Sequence, residues 1–116
     1  MLSRSHRFHG PTSLRYAFRQ GKVVRGQQLN LRYALNTRRQ GFRAAVVVSR
    51  KVDKRAVVRN RLRRRVYEII RLEADRITQP YDLVLTVYDA SLATAPPAQL
   101  QHLVQGQLVK AGIIQK

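Results

Sequence analysis

Residues Ser49 to Arg65 read Ser-Arg-Lys-Val-Asp-Lys-Arg-Ala-Val-Val-Arg-Asn-Arg-Leu-Arg-Arg-Arg, and nine of these seventeen are basic, with only Asp53 opposed to them. An apolar stripe of helical period, Val58, Leu62, Val66 and Ile69, passes through the run. The charges therefore sit on the front of a folded helix. At about 100° per residue, Val58, Leu62, Val66, Ile69 and Leu72 share one side, and Asn60, Arg63, Arg64, Tyr67 and Arg71 lie opposite. Arg59, Arg61 and Arg65 occupy the flanks, where a long stem can lie on the apolar face and carry its guanidinium outward.

As a stability device this arrangement is poor. A helix N-terminus already carries about half a positive charge, and each exposed cation placed there costs about 0.3–1 kcal/mol. Arg59 with Arg63 and Arg61 with Arg65 add like-charge repulsion at i,i+4 spacing. What the arrangement suits is an external anion, because free backbone N–H groups ringed by arginines bind phosphate through both the dipole and forked hydrogen bonds. A merely solvated face would mix Glu with Lys, and this one does not. Nucleic acid is the natural partner.

The whole chain points the same way. Its 116 residues, 44% hydrophobic, suffice for one core and one RNA-binding domain spanning residues 1–116. The net charge of +17 is uneven: residues 1–65 hold 19 basic and one acidic side chain, residues 66–116 four and five. Eighteen of the 23 cations are arginine, which favours phosphate forks and stacking on bases. The absence of cysteine excludes disulfides and thiolate zinc sites. No run has the length of a membrane span and the N-terminus lacks an apolar signal region, so a cytoplasmic protein without membrane contact is the expectation. The arginine-rich, acid-poor N-terminus leaves an organelle transit peptide as the minority reading.

Along the chain, Thr12 or Ser13 caps a short helix to about Gln20, with Leu14 and Phe18 on one face and Gly21 as its stop. Lys22 to Leu35 is extended, with Leu29, Leu31, Tyr33 and Leu35 alternating as a half-buried strand. A polar turn leads to a second strand, Phe42 to Ser49. The long helix runs from near Arg55 to about Ile77, about 33 Å at 1.5 Å per residue, before Pro80. Tyr81 to Tyr88 is a further strand. A last helix opens at Pro96-Pro97, carries Leu100, Leu103, Val104, Leu108 and Ala111 on one stripe, and ends at Gly112. The pattern is that of an α+β fold, a small α/β sandwich with a mostly antiparallel sheet and the long helix packed on one face.

A catalytic centre is not in evidence. The carboxylates Asp53, Glu68, Glu73, Asp75, Asp82 and Asp89 are too few and scattered to nominate an acid/base pair or a two-metal site, and Glu68 is expected to pair with Arg64. His6, His9 and His102 make no metal-ligand pattern, and phosphate-loop and nucleophile-elbow motifs are lacking. No catalytic or metal-ligating residue is assigned.

The strand end Ser49-Arg50-Lys51, followed by Ala56-Val57-Val58-Arg59-Asn60-Arg61-Leu62-Arg63-Arg64 opening a helix, resembles the protein subunit of bacterial ribonuclease P, whose signature is the Arg-Asn-Arg core with basic residues after it. The likeness covers nearly the whole chain. It implies an accessory subunit of an endoribonuclease that removes the 5′ leader of precursor tRNA, with hydrolysis performed by the RNA subunit and its bound Mg²⁺ and no metal held by the protein alone. It further implies a four-stranded sheet with three helices, like the second domain of ribosomal protein S5, and a left-handed crossover. The partners implied are the ribonuclease P RNA and precursor tRNA, not DNA. By position, Arg50, Lys51, Arg55, Arg59, Asn60, Arg61, Arg63, Arg64 and Arg65 are the residues for the catalytic RNA. The same resemblance implies that a cleft between the first helix and the open sheet face, with Leu14, Phe18, Arg32 and Tyr33 as its members, holds the single-stranded leader.

The chain departs from that pattern in places. Leu14 stands where relatives have a second aromatic, replacing base stacking worth about 1–3 kcal/mol per base. Asp53 occupies a turn position often held by glycine, in a segment one residue longer than usual. Tyr67 and Tyr88-Asp89 replace commonly basic positions. The alternatives are a ribosomal-type structural RNA binder, which charge and size fit equally, and a duplex-DNA module reading bases through Asn60 and Arg64. A self-sufficient nuclease lacks the carboxylates.

Overall fold

The computed structural model describes residues 21–115. The expected first helix, with Leu14 and Phe18, lies outside the described residues. Four strands, β1 (Lys22–Val24), β2 (Leu29–Leu35), β3 (Arg43–Val48) and β4 (Tyr81–Val87), form one sheet in the order β1-β2-β4-β3. Among the described residues the two α-helices are α1 (Ala56–Leu72) and α2 (Pro97–Lys110), with short 3₁₀ turns at Ala74–Arg76 and Ala90–Ala93.

The stretch expected as one strand from Lys22 is a hairpin. Lys22 pairs with Tyr33 and Val24 with Leu31, and the tight turn between them needs Gly26, where a Cβ would lie 2.6 Å from the Leu29 carbonyl oxygen. β2 runs antiparallel to β4 and β3 parallel to it, because the α1 crossover returns the chain beside β3 in the same direction. Strand alternation holds on β2 through Leu29, Leu31 and Tyr33 and fails at Leu35, which is exposed at the strand exit.

Register divides the sheet into two faces. Leu29, Leu31 and Tyr33 of β2, Leu83, Leu85 and Val87 of β4, and Ala44, Val46 and Val48 of β3 share the face that packs with Leu62, Val66, Ile69 and Ile70 of α1 and Leu100, Val104 and Leu108 of α2. The second face carries Asn30, Arg32 and Ala34 of β2, Asp82, Val84 and Thr86 of β4, and Arg43, Ala45 and Val47 of β3. Its centre, Val84 and Ala45, is buried, and Asn30, Arg32, Ala34, Val47 and Thr86 around it are half-buried.

Helix α1 ends five residues short of the expected Ile77. At Glu73 the chain leaves the helix, and its N–H closes on the carbonyls of Ile69 and Ile70. The Glu73 carboxylate is buried and bound, accepting from Arg76 Nη1 at 2.9 Å and from the Gln105 amide of α2. That tie turns the chain so that Ile77 reaches the core from a different direction. The buried stripe is centred on Leu62, Val66 and Ile69 with Ile70 beside them, and Leu72, expected on it, is 55% exposed. Helix α2 starts on Pro97 as a first-turn residue and ends in a C-terminal cap in which Gly112, at φ +76°, donates to Val109 O and Ile113 to Leu108 O.

Candidate nucleic-acid interface

The N-terminal end of α1 is built without the usual helix-start chemistry. Its N-cap is Arg55, which provides no side-chain cap, and its first turn has no acid. Omitting a Ser, Thr or Asp cap forgoes about 0.5–2 kcal/mol and leaves amide donors facing outward. The preceding turn is stiffened instead by Asp53, whose Oδ1 accepts from the Arg55 N–H at 2.9 Å while its carboxylate takes Nε and Nη2 of the same arginine at 3.1 and 3.0 Å. These bonds from Arg55, side chain first and backbone second, hold the Asp53 carboxyl down to about 2. The aspartate at this turn closes it through hydrogen bonds where glycine would act through backbone freedom.

Around this end the cations fall into two sets. Arg50, Lys51, Lys54, Arg61 and Arg64 are exposed and have no hydrogen-bond or ion-pair partner among the described residues. Arg50, Lys51, Lys54, Ala56 and Arg59 line a hollow of about 570 Å³ at the helix start. The second set is tied to the protein: Arg59 Nη1 donates to the carbonyls of Asp53 and Lys54, each at 2.9 Å, and Arg63 donates to the Asn60 amide oxygen. Arg55 is held by Asp53. Each of Arg55, Arg59 and Arg63 retains further N–H donors for a phosphate.

Arg65 differs in kind. Its guanidinium points away from the basic face and donates to Leu92 O at 2.5 Å and to Ala95 O, clamping α1 to the 3₁₀ segment that leads into α2. Helix periodicity puts Arg65 on the flank, and only the long-range fold puts carbonyls within its reach. Tyr67 is also structural: its hydroxyl accepts from the Val46 N–H at 3.1 Å. Because β3 is an edge strand, this bond satisfies an amide that would otherwise stand open. Glu68 pairs with Arg71, Nε to carboxylate at 3.0 Å, one turn forward of α1 and not back to Arg64.

Of the two described residues expected in one cleft, Arg32 and Tyr33, the structure separates the pair. Tyr33 lies on the helix-bearing face, packs against the core and meets Tyr81 edge to face at 6.2 Å between ring centroids. Arg32 lies on the second face, opposite Val84. Neighbours on a strand point to opposite sides, so a cleft on one face takes only one of them. Leu14 and Phe18 lie outside the described residues.

Lys54 was not singled out by sequence reasoning, although it lies inside the basic run; it falls between the strand-end pair and the Arg-Asn-Arg core, and only the turn brings it to the hollow. Among the described residues no group of three His, Cys, Asp or Glu side chains converges. Four of the six carboxylates are bound by arginines, Asp53 by Arg55, Glu68 by Arg71, Glu73 by Arg76 and Asp82 by Arg43 at 2.7 Å. Asp89 accepts from the Ser91 N–H and from Gln28.

Comparison with known proteins gives a consistent result. A sequence model of the family described as Ribonuclease P matches residues 2–112. The ribonuclease P protein component of Roseiflexus castenholzii is 36% identical over 114 residues, covering 98% of this chain and 92% of that protein. That of Chloroflexus aurantiacus is 36% identical over 113 residues, covering 97% and 82%. Among solved structures, the Staphylococcus aureus RNase P protein superposes with a TM-score of 0.83 at 20% identity, covering 95% of this chain and 98% of that one. The Thermotoga maritima RNase P protein gives 0.79 at 21% identity, covering 90% and 96%.

Proposed function

The chain belongs to the ribonuclease P protein family, as the protein component of that endoribonuclease with catalysis residing in the RNA, and from this premise we propose how its surfaces divide the work. The start of α1 grips the ribonuclease P RNA through Arg50, Lys51, Lys54, Arg61 and Arg64, with Arg55 and Arg59 holding the turn, and Arg55, Arg59, Asn60 and Arg63 adding their remaining donors. The second sheet face, with Arg32, takes the single-stranded leader of precursor tRNA. The observation that carries this reading is the uncapped helix start ringed by cations that have no partners among the described residues, an arrangement that costs stability unless a polyanion completes it.

In this reading residues 1–116 act as one RNA-binding domain in the cytoplasm, with the family's left-handed crossover between β3 and β4. Mg²⁺ is held by the RNA and supplies the activation of water at the scissile phosphate. The protein's own residues lower repulsion between two polyanions and position the leader. Adding the protein therefore reduces the magnesium that the RNA needs at physiological salt.

The test is cleavage of precursor tRNA by the protein alone, by the cognate ribonuclease P RNA alone at low magnesium, and by the two together. Cleavage confined to the mixture, ending at the mature 5′ terminus, is the expected result. An RNA whose rate and magnesium requirement are untouched by the protein would overturn the accessory role, and robust cleavage by the protein alone would place an active site in this chain.

A further inference from the structure

The second face of the sheet ends in a tyrosine that the core does not use. Tyr33, Tyr67 and Tyr81 pack against the hydrophobic core, whereas Tyr88, at the exit of β4, stands outside it and is 51% exposed. It continues the alternation of Asp82, Val84 and Thr86 and so leaves β4 on the second face. Its N–H remains tied to β2 through Gln28 O at 2.8 Å.

The ring is held in place. Its hydroxyl accepts from Asn30 Nδ2 at 3.1 Å, and Asn30 Oδ1 accepts from the Gly26 N–H at 2.9 Å. This two-link chain draws the ring tip from β4 toward β2 and anchors it to the hairpin turn. A singly exposed side chain needs no explanation, but one whose freedom is spent in advance, with half its surface left open, is preorganised for contact. The same face places Arg32 two residues beyond Asn30, about 7 Å along β2. Asp89 is occupied by Gln28 and the Ser91 N–H.

An open aromatic plane on the face that carries Arg32 is chemistry that takes an unpaired base of a single strand, with the arginine further along the face for its backbone phosphate. We propose that Tyr88 is a stacking platform for a base of single-stranded RNA, extending the second sheet face beyond Arg32. This rests on the reading that the second face takes the leader, and adds to it a contact made by stacking at a position where a cation would act by charge alone.

The experiment uses the holoenzyme with precursor tRNAs whose leaders are shortened one nucleotide at a time, and a second series with one abasic residue at each leader position. Tyr88→Ala weakens binding of the long-leader precursor about tenfold, and the loss shrinks as the leader is cut. One abasic position abolishes the difference between the parent and Tyr88→Ala. Tyr88→Trp keeps the affinity, and Tyr88→Phe, which retains the ring and loses the Asn30 tether, falls between. If Tyr88→Ala binds the long leader as tightly as the parent while Arg32→Ala and leader shortening weaken binding, stacking is overturned and the second face stands. If neither Arg32→Ala nor leader length matters, the second-face reading falls and the platform with it. Thermal melts separate a folding defect, and should Tyr88→Ala melt early, Tyr88→Trp and the abasic series decide the question.

Discussion

The two halves of α1 obey opposite rules. From Ala56 to Arg64 the helix buries one side chain completely, Leu62, has no acid in its first turn and shows Arg61 and Arg64 to solvent. From Arg65 to Leu72 it buries Val66, Ile69 and Ile70, and its one arginine at the junction, Arg65, is turned into the protein. The second half holds the helix on the sheet, and that anchorage allows the first half to keep a charge pattern that would fray a free helix. The difference shows how a single element carries both a fold and a binding surface: the stable end makes the costly end affordable.

The largest effect that would break this contrast lies in the second half. Ile70 is fully buried, and Ile70→Ala should cost about 2–5 kcal/mol of unfolding free energy, read as a shift in the denaturant midpoint. A loss under 1 kcal/mol would mean that the second half is not the anchor.

Arg65 and Arg64 sharpen the boundary at adjacent positions. Arg65→Ala removes two hydrogen bonds to carbonyls from a charged donor and should destabilise by about 1.5–3 kcal/mol. Arg64→Ala together with Arg61→Ala should leave the melt within about 0.5 kcal/mol. The same pair should reduce the magnitude of the salt slope of RNA binding by about 0.7–0.9 per lost phosphate contact. Equal melts for the two sets, or an unchanged slope for Arg61 and Arg64, would erase the boundary.

The smallest effect concerns the acid end of the pH range. The carboxyls of Asp53 and Glu68 are both held down to about 2, by hydrogen bonds from Arg55 and Arg71 respectively. Their folded values lie below the ordinary 3.8 and 4.5. Their contributions are therefore complete above those ordinary values and are lost as pH falls through about 2. Carboxyl resonances followed by NMR should titrate near 2 for both groups, and Asp53→Asn should remove the acid-induced loosening of the turn before α1. A midpoint near 3.8 for Asp53 would show that its bond to Arg55 does not persist in solution.

Much of this was legible in the residues. The start of the basic helix, the strands at residues 42–49 and 81–88 and the Pro-to-Gly limits of α2 follow from periodicity and punctuation, and each matches the observed element to within a residue or two. The Arg-Asn-Arg run marked the family. What failed was of two kinds. The pairing of Arg32 with Tyr33 in one cleft overlooked strand alternation, which was already available from their adjacency. The end of α1, the partner of Glu68 and the inward turn of Arg65 depended on Gln105, Arg71, Leu92 and Ala95, and nothing in the local pattern distinguishes a guanidinium that will find a carbonyl 27 residues away from one that will meet solvent.

By itself, then, the sequence determined which segments are helix or strand, where the positive charge lies and which family the chain resembles, because periodicity, capping and charge are properties of neighbours along the chain. Only the tertiary structure decided that β3 runs parallel to β4, that Arg32 and Tyr33 part to opposite faces of a four-stranded sheet, that Arg65 clamps and Arg64 does not, and that Tyr88 is held open by Asn30. These outcomes depend on contacts between residues dozens of positions apart, whose energies exist only once the sheet has brought them together.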